Sequence, residues 1–213
     1  MDLPPPTLLN PTHQTQQLAP KPAEGLLGPS GNGQHNSDAS IDLRKKEVLS
    51  ALKNYFPNNP NAWAGFMGNI QGENSTFDFQ KEEIANVKDK GYGLFQFTGE
   101  QQEKYFQYLL NTGIKDSPYA QVGYLHHIVY DANPTYEMGN TKRDRLRQNI
   151  NIGSGYDISD SLVREYEQPD RTRQQQKTRR GLTGDWMELL NVPAEQSKPT
   201  PRKPYNVYRN RYE

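Results

Sequence analysis

Apolar residues recur at three- and four-residue intervals through most of the middle of this chain. Leu43, Val48, Leu49 and Leu52 sit near helical spacing across 42–55. The "PNNP" run at 57–60 breaks that segment. Asn59 is placed to cap a second helix with Pro60 in its first position, and this helix is expected to run to about Glu73. Thr98 stands before "GEQQEKYFQYLLNTG", with Gln101 three residues on and Gly113 as a stop. Ser117 and Pro118 open "PYAQVGYLHHIVYD", where Tyr119, Val122, Leu125, Ile128 and Val129 form one apolar stripe. "DISDSLVREYEQP" offers Asp160 or Ser159 as a cap, and "GDWMELLNV" is a last amphipathic piece. The good strand candidate is "GYGLFQF" at 91–97, which predicts a small hairpin over 76–97. The expected fold is mainly α, with no internal repeat.

The two ends read differently. Of 16 prolines, the majority lie within residues 1–40 and 193–213. Residues 1–40 are rich in Pro, Gly, Gln and Asn, a composition that buries too little apolar surface to offset ordering. They predict an extended or disordered arm, with "PTLLNP" and "EGLLGP" as small docking anchors. Residues 41–191 form the expected domain. Residues 192–213 form a basic tail with Tyr205, Tyr208 and Tyr212 among its Lys and Arg residues, suited to a protein surface or to nucleic acid. These polar ends account for a hydrophobic content of only 32%.

Formal net charge is zero, so bulk charge names no partner. There is no cysteine, which excludes disulfides, thiolate metal sites and a cysteine nucleophile. No apolar run is long enough to span a membrane. "MDLPPPTLLNPTHQTQQ" lacks the basic start and apolar core of a signal peptide, so action outside the producing cell calls for another route of release.

The segment "GFMGNIQGENSTF" raises a chemical question. At about 100° per residue, Trp63, Phe66, Met67 and Ile70 share one arc of the second helix. Gly65, Gly68 and Gly72 share another, and such a stripe calls for something packed close to the backbone. Glu73 projects between the two arcs, at the helix end where a negative charge is least welcome. Apolar neighbours and the helix dipole both disfavour its charged form. A carboxylic acid kept protonated is what a glycoside hydrolase uses as general acid. Geometry alone fits an ordinary glutamate at a fraying helix end equally well.

A glutamate at a helix end, followed by the glycine-rich "GYGLFQFTG", resembles the active-site cleft of the lysozyme superfamily. In goose-type lysozymes and soluble lytic transglycosylases a catalytic Glu-Ser is followed by a Gly-Leu-Met-Gln segment. The matching residues here are Glu73-Asn74-Ser75 and Gly93-Leu94-Phe95-Gln96. The closer resemblance is to the phage tail lysozyme family. It rests on "AWAGFMGNIQGENSTFDF", "GYGLFQFTG", "QVGYLHHIVYD" and "SLVREYEQPD" in that order, over about residues 44–180. One departure is Phe97, where such domains commonly carry tryptophan.

The resemblance implies a lysozyme-like helical domain with a small β-hairpin, flanked by extended arms. It implies cleavage of the MurNAc–GlcNAc β-1,4 bond of peptidoglycan, with Glu73 as general acid. A second acid is needed if water is the nucleophile; Asp78, Glu82, Glu83 and Asp89 are available, and Glu82 is preferred by resemblance. Without one, the substrate's own N-acetyl group can assist, and the product is either hydrolysed or an anhydro-sugar. Ser75 and Gln96 are expected to bond to sugar, and Tyr92, Phe95 and Phe97 to offer stacking surface. The expected partners are the glycan strand and, through the arms, other virion proteins. The expected place is the virion, tail or internal, acting on the host envelope. A structural tail or internal protein with an inactive domain is the alternative, and a lysin released inside the host is a third reading.

Other features carry less. His126 and His127 are adjacent on a helix and point about 100° apart, not at the i, i+4 spacing of helical zinc ligands, so they are read as core-edge histidines. No metal and no cofactor is expected. "TKRDRLR" (141–147) and "RTRQQQKTRR" (171–180) read as solvated basic faces, with attraction to anionic wall polymer or packaged DNA as the functional reading.

Overall fold

A central apolar helix and the glycines along one side of it organise the molecule. The computed structural model describes residues 37–82, 91–130, 139–167, 172–196 and 198–199. Most of both expected arms, and the second-acid candidates Glu83 and Asp89, lie outside the described residues.

Among the described residues the chain forms α1 (Asp38–Tyr55), α2 (Pro60–Glu73), α3 (Gly99–Thr112), α4 (Pro118–Tyr130), α5 (Asn140–Ile152), α6 (Gly155–Ser161), a π-helical turn (Leu162–Glu167) and α7 (Thr172–Leu189). Helix α1 starts earlier than the periodicity predicts, because Ser37 accepts from the Ser40 N–H and caps it. Asn59 caps α2 by accepting from the Ala62 N–H at 2.9 Å, and Pro60 occupies the first turn. Ser117 caps α4 through the Ala120 N–H at 3.1 Å. Thr98 precedes α3, but its side chain makes no cap bond.

Helix α2 is buried over most of its length. Phe66, Met67 and Ile70 are fully buried, each worth roughly 1.5–3 kcal/mol of burial. Its glycine side meets α6 and α7. A Cβ on Gly65 would stand 2.8 Å from the Gly155 carbonyl oxygen, and one on Gly68 would stand 2.6 Å from the Thr183 backbone nitrogen. At Gly72 it would collide with the Arg179 guanidinium. The stripe therefore lets two helices approach nearly to backbone contact.

Two sequence expectations are corrected. The small β-hairpin over 76–97 is not formed among the described residues, which contain only the isolated antiparallel bridges Glu82–Tyr92 and Tyr92–Phe97. The cause is local. Phe77, Gly93 and Gln96 have φ of 53°, 75° and 48°, so neither flank runs extended. Residues 91–97 instead close into a turn in which Tyr92 and Phe97 exchange backbone bonds at 3.0 and 2.9 Å. The second correction concerns the cap in "DISDSLVREYEQP". Helix α6 begins at Gly155 under a capping box of Ser154 and Asp157, while buried Asp160 is gripped by Arg180 at 2.6–3.2 Å.

The basic stretch 141–147 is not wholly solvated either. On α5, Arg145 meets buried Glu165 at 3.0 Å, and Arg147 donates twice to the Val129 carbonyl. No helix among the described residues is long and apolar enough to cross a membrane.

Candidate active site

Helix α2 delivers Glu73 as its last residue. The C-terminal carbonyls leave partial negative charge there. The structure answers that charge with Arg179 of α7. Its Nη2 donates to Glu73 Oε1 in a short ion pair, and its guanidinium lies over Gly72. The two are unequally buried: the Arg179 side chain is 3% exposed and Glu73 22%. So the carboxylate reaches solvent while the cation does not. A cation, not an apolar wall, is the direct partner of Glu73.

The residue after Glu73 joins it to the glycine-rich turn. Asn74 is fully buried; its Nδ2 donates to the Asp78 carbonyl at 2.7 Å and to the Gly93 carbonyl at 3.1 Å. Its Oδ1 accepts from Thr76 Oγ1 at 2.8 Å. The turn that carries Gln96 is therefore bonded directly to the end of α2. The Lys81 carbonyl accepts from the Gly93 N–H at 2.9 Å, so the segment before residue 82 lies against the same turn.

The expected sugar contacts divide. Ser75 is exposed beside Glu73. Gln96 is half-buried, and its Nε2 donates to the Gly93 carbonyl at 2.7 Å. Tyr92 is partly buried, its ring 5.2 Å from that of Phe106 and its hydroxyl donating to Asp116 in a short bond. Burial, the Asp116 bond and the nearby charges of Glu82 and Asp78 all push the Tyr92 hydroxyl pKa well up, so it stays a donor. Phe97 is fully buried, packed on Tyr105 at 5.0 Å and Tyr124 at 5.4 Å. With Phe95 it belongs to the core.

Of the acids after Glu73, Glu82 is exposed and paired across the backbone with Tyr92. Asp78 accepts from the Gln80 N–H at 3.0 Å and faces Arg44 at 3.5 Å. No group of three or more metal-ligating side chains occurs among the described residues. His126 and His127 of α4 pack among aromatic rings, and burial lowers the pKa of both.

Three residues escaped the sequence reading: Arg179, Asp116 and Gln121. Arg179 lies 106 positions beyond Glu73, inside a basic run whose other members give no sign of difference. The available signal was the Gly68–Gly72 stripe, which demanded a partner without naming it.

The chain belongs to the phage tail lysozyme family, whose sequence pattern matches residues 44–190. The match spans α2, the glycine-rich turn and Arg179. Membership gives the chain a phage lysozyme-like function, with peptidoglycan as the implied substrate. No curated protein matches the chain.

Proposed function

We propose that this protein is a virion-associated peptidoglycan-cleaving enzyme that opens the MurNAc–GlcNAc β-1,4 bond, with Glu73 as general acid. The observation that carries the reading is the setting of Glu73. It is a solvent-reaching carboxylate at a buried helix end, charge-compensated by a buried arginine and bonded through Asn74 to the turn bearing Gln96. In this role Glu73 acts in its protonated form, giving its proton to the glycosidic oxygen as the bond breaks and returning to the carboxylate that Arg179 holds in this structure. Arg179 orients the carboxylate and stabilises the anion left afterwards. Ser75, Gln96 and Tyr92 bind sugar, through hydroxyl, amide oxygen and ring. Phe97 supports the turn from beneath.

Glu82 is the proposed second acid, activating water when the bond is hydrolysed. If it plays no part, the substrate's own N-acetyl oxygen attacks the anomeric carbon as the glycosidic bond breaks, and the intermediate is opened either by water or by the sugar's own C6 hydroxyl, which leaves an anhydro-sugar. The arms, residues 1–40 and 192–213, would dock the domain to other virion proteins and carry it to the host envelope.

One observation favours a second reading. The same Arg179 contact occupies a Glu73 oxygen in this structure, as a virion protein of structural role with an inactive domain would tolerate. One experiment separates the two. Purified peptidoglycan is treated with the wild type and with Glu73→Gln, and turbidity and product mass are followed. The glutamine keeps an oxygen for Arg179 and removes the acid. Clearing by the wild type and a loss of about a hundredfold or more in the variant are expected. Product mass then tells added water from anhydro-sugar. Clearing by both would clear Glu73 of the role, and clearing by neither folded protein would favour the structural reading.

A further inference from the structure

Two segments flank the proposed site without being helical: the stretch after Asn74 up to residue 82, and the turn at 91–97. Both end on one side chain of α4. Gln121 is fully buried, and its Nε2 donates to the Phe79 carbonyl at 2.7 Å and to Asp116 Oδ1 at 3.1 Å. Its Oε1 accepts from the Leu94 N–H at 2.8 Å. A buried amide with both donors and its acceptor engaged fixes geometry more tightly than an apolar side chain of similar volume. The turn is shaped to admit it. Gly93 has φ of +75°, and a Cβ there would stand 2.6 Å from Gln121 Nε2. Asp116 extends the cluster by accepting from the Tyr105 hydroxyl at 2.5 Å and from that of Tyr92.

Asn74 binds the same two segments from the other side, through the Asp78 and Gly93 carbonyls. Each segment is thus held both from the end of α2, next to Glu73, and from α4. We infer that Gln121 is a positioning residue for the proposed reaction: its amide sets the turn bearing Gln96 and Tyr92 against Glu73. A leucine would fill the volume, but it would leave the Leu94 N–H and the Phe79 carbonyl without partners.

This inference rests on the functional reading above, and its test separates the two. Gln121→Glu keeps the acceptor for Leu94 but presents a carboxylate to the Phe79 carbonyl and to Asp116. Asp78 and Glu82, which act on Tyr92 in the same cluster, add negative charge. Protonation of the new glutamate restores a donor at that point. With the full chain on soluble peptidoglycan fragments, kcat is expected to fall roughly 10- to 100-fold near neutral pH with KM little changed. The deficit should shrink as the pH is lowered, while Glu73→Gln stays inactive throughout. Circular dichroism melts at each pH restrict the comparison to folded protein.

Asp116→Asn is the second variant, removing charge from the cluster without adding any. It is expected to lower kcat a few-fold with KM little changed, and if Gln121→Glu does not fold, a folded Asp116→Asn with wild-type kcat overturns the positioning role. Folded Gln121→Glu with wild-type kcat near neutral pH, or a change in KM alone, overturns the positioning role and leaves the functional reading intact. A wild type that cleaves nothing overturns both.

Discussion

Glu73 and Arg179 are an unequal pair, and the inequality has a measurable consequence. Arg179 is 3% exposed and Glu73 22%. If Arg179 is lost, the carboxylate can turn toward water. If Glu73 is lost, the guanidinium stays buried, and its Nε has no hydrogen-bond partner among the described residues. Removing one member of a buried pair costs up to about 3–5 kcal/mol, chiefly through the charge left behind. Glu73→Met should therefore approach that figure. Arg179→Met should cost about 1–2 kcal/mol, because solvent screens the remaining charge. The double variant should recover part of the Glu73→Met loss. Denaturant titrations of the four proteins read this directly, and an Arg179→Met loss larger than the Glu73→Met loss would contradict the argument. Glu73 was legible in the sequence because a charge at the end of an apolar stripe violates a local rule. Arg179 was not, because the neighbouring Arg173 and Lys177 are exposed and only the tertiary fold turns Arg179 and Arg180 toward acids on other helices.

At the scale of elements, periodicity and caps disclosed most of the helices and missed the turn. Residues 91–97 alternate as a strand would, but three left-handed residues across the two flanks are written in no pattern of apolar positions. Side chains from α2 and α4 hold them. The start of α6 was missed for a similar reason: Asp160 resembles a cap locally, and its partner Arg180 is on another helix. The glycine stripe of α2 was legible as a demand for close packing, and this yields a contrast between two helical glycines. Gly68 has the Thr183 backbone 2.6 Å from where a Cβ would stand, whereas Gly181 on α7 has no atom of the described residues within 4 Å. Gly68→Ala must push α2 and α7 apart, an overpacking loss of roughly 1–3 kcal/mol. Gly181→Ala meets no obstacle and removes backbone freedom from the unfolded chain, a gain of about 0.5–1 kcal/mol. Thermal melts of opposite sign are expected. A Gly68→Ala protein as stable as the wild type would mean that the α2–α7 approach is looser than described.

At the scale of the whole molecule, the two histidines make folding sensitive to acid. His126 stands against Tyr55 of α1 and Phe56 just after it and stacks on Tyr130 at 4.6 Å, while His127 faces Tyr108 of α3 at 5.3 Å. They sit where α4 joins two other helices. Burial lowers both pKa values from 6.5, and the His127 charge lowers that of His126 further. The sign follows from linkage. The folded state keeps both rings neutral at a pH where the unfolded chain has begun to protonate them, so the unfolded state binds more protons. Their contribution is fully present above about pH 6.5 and is lost as pH falls through the lowered folded values, at up to about 1.4 kcal/mol per pH unit for each ring. A variant lacking both imidazoles isolates their part in the window between about pH 6.5 and 5. Melts across that window should show a falling midpoint in the wild type and a flatter profile in His126→Phe/His127→Phe, where phenyl rings keep the aromatic contacts without the charge. An unchanged slope in the double variant would assign the acid sensitivity to other groups and leave these histidines as neutral packing.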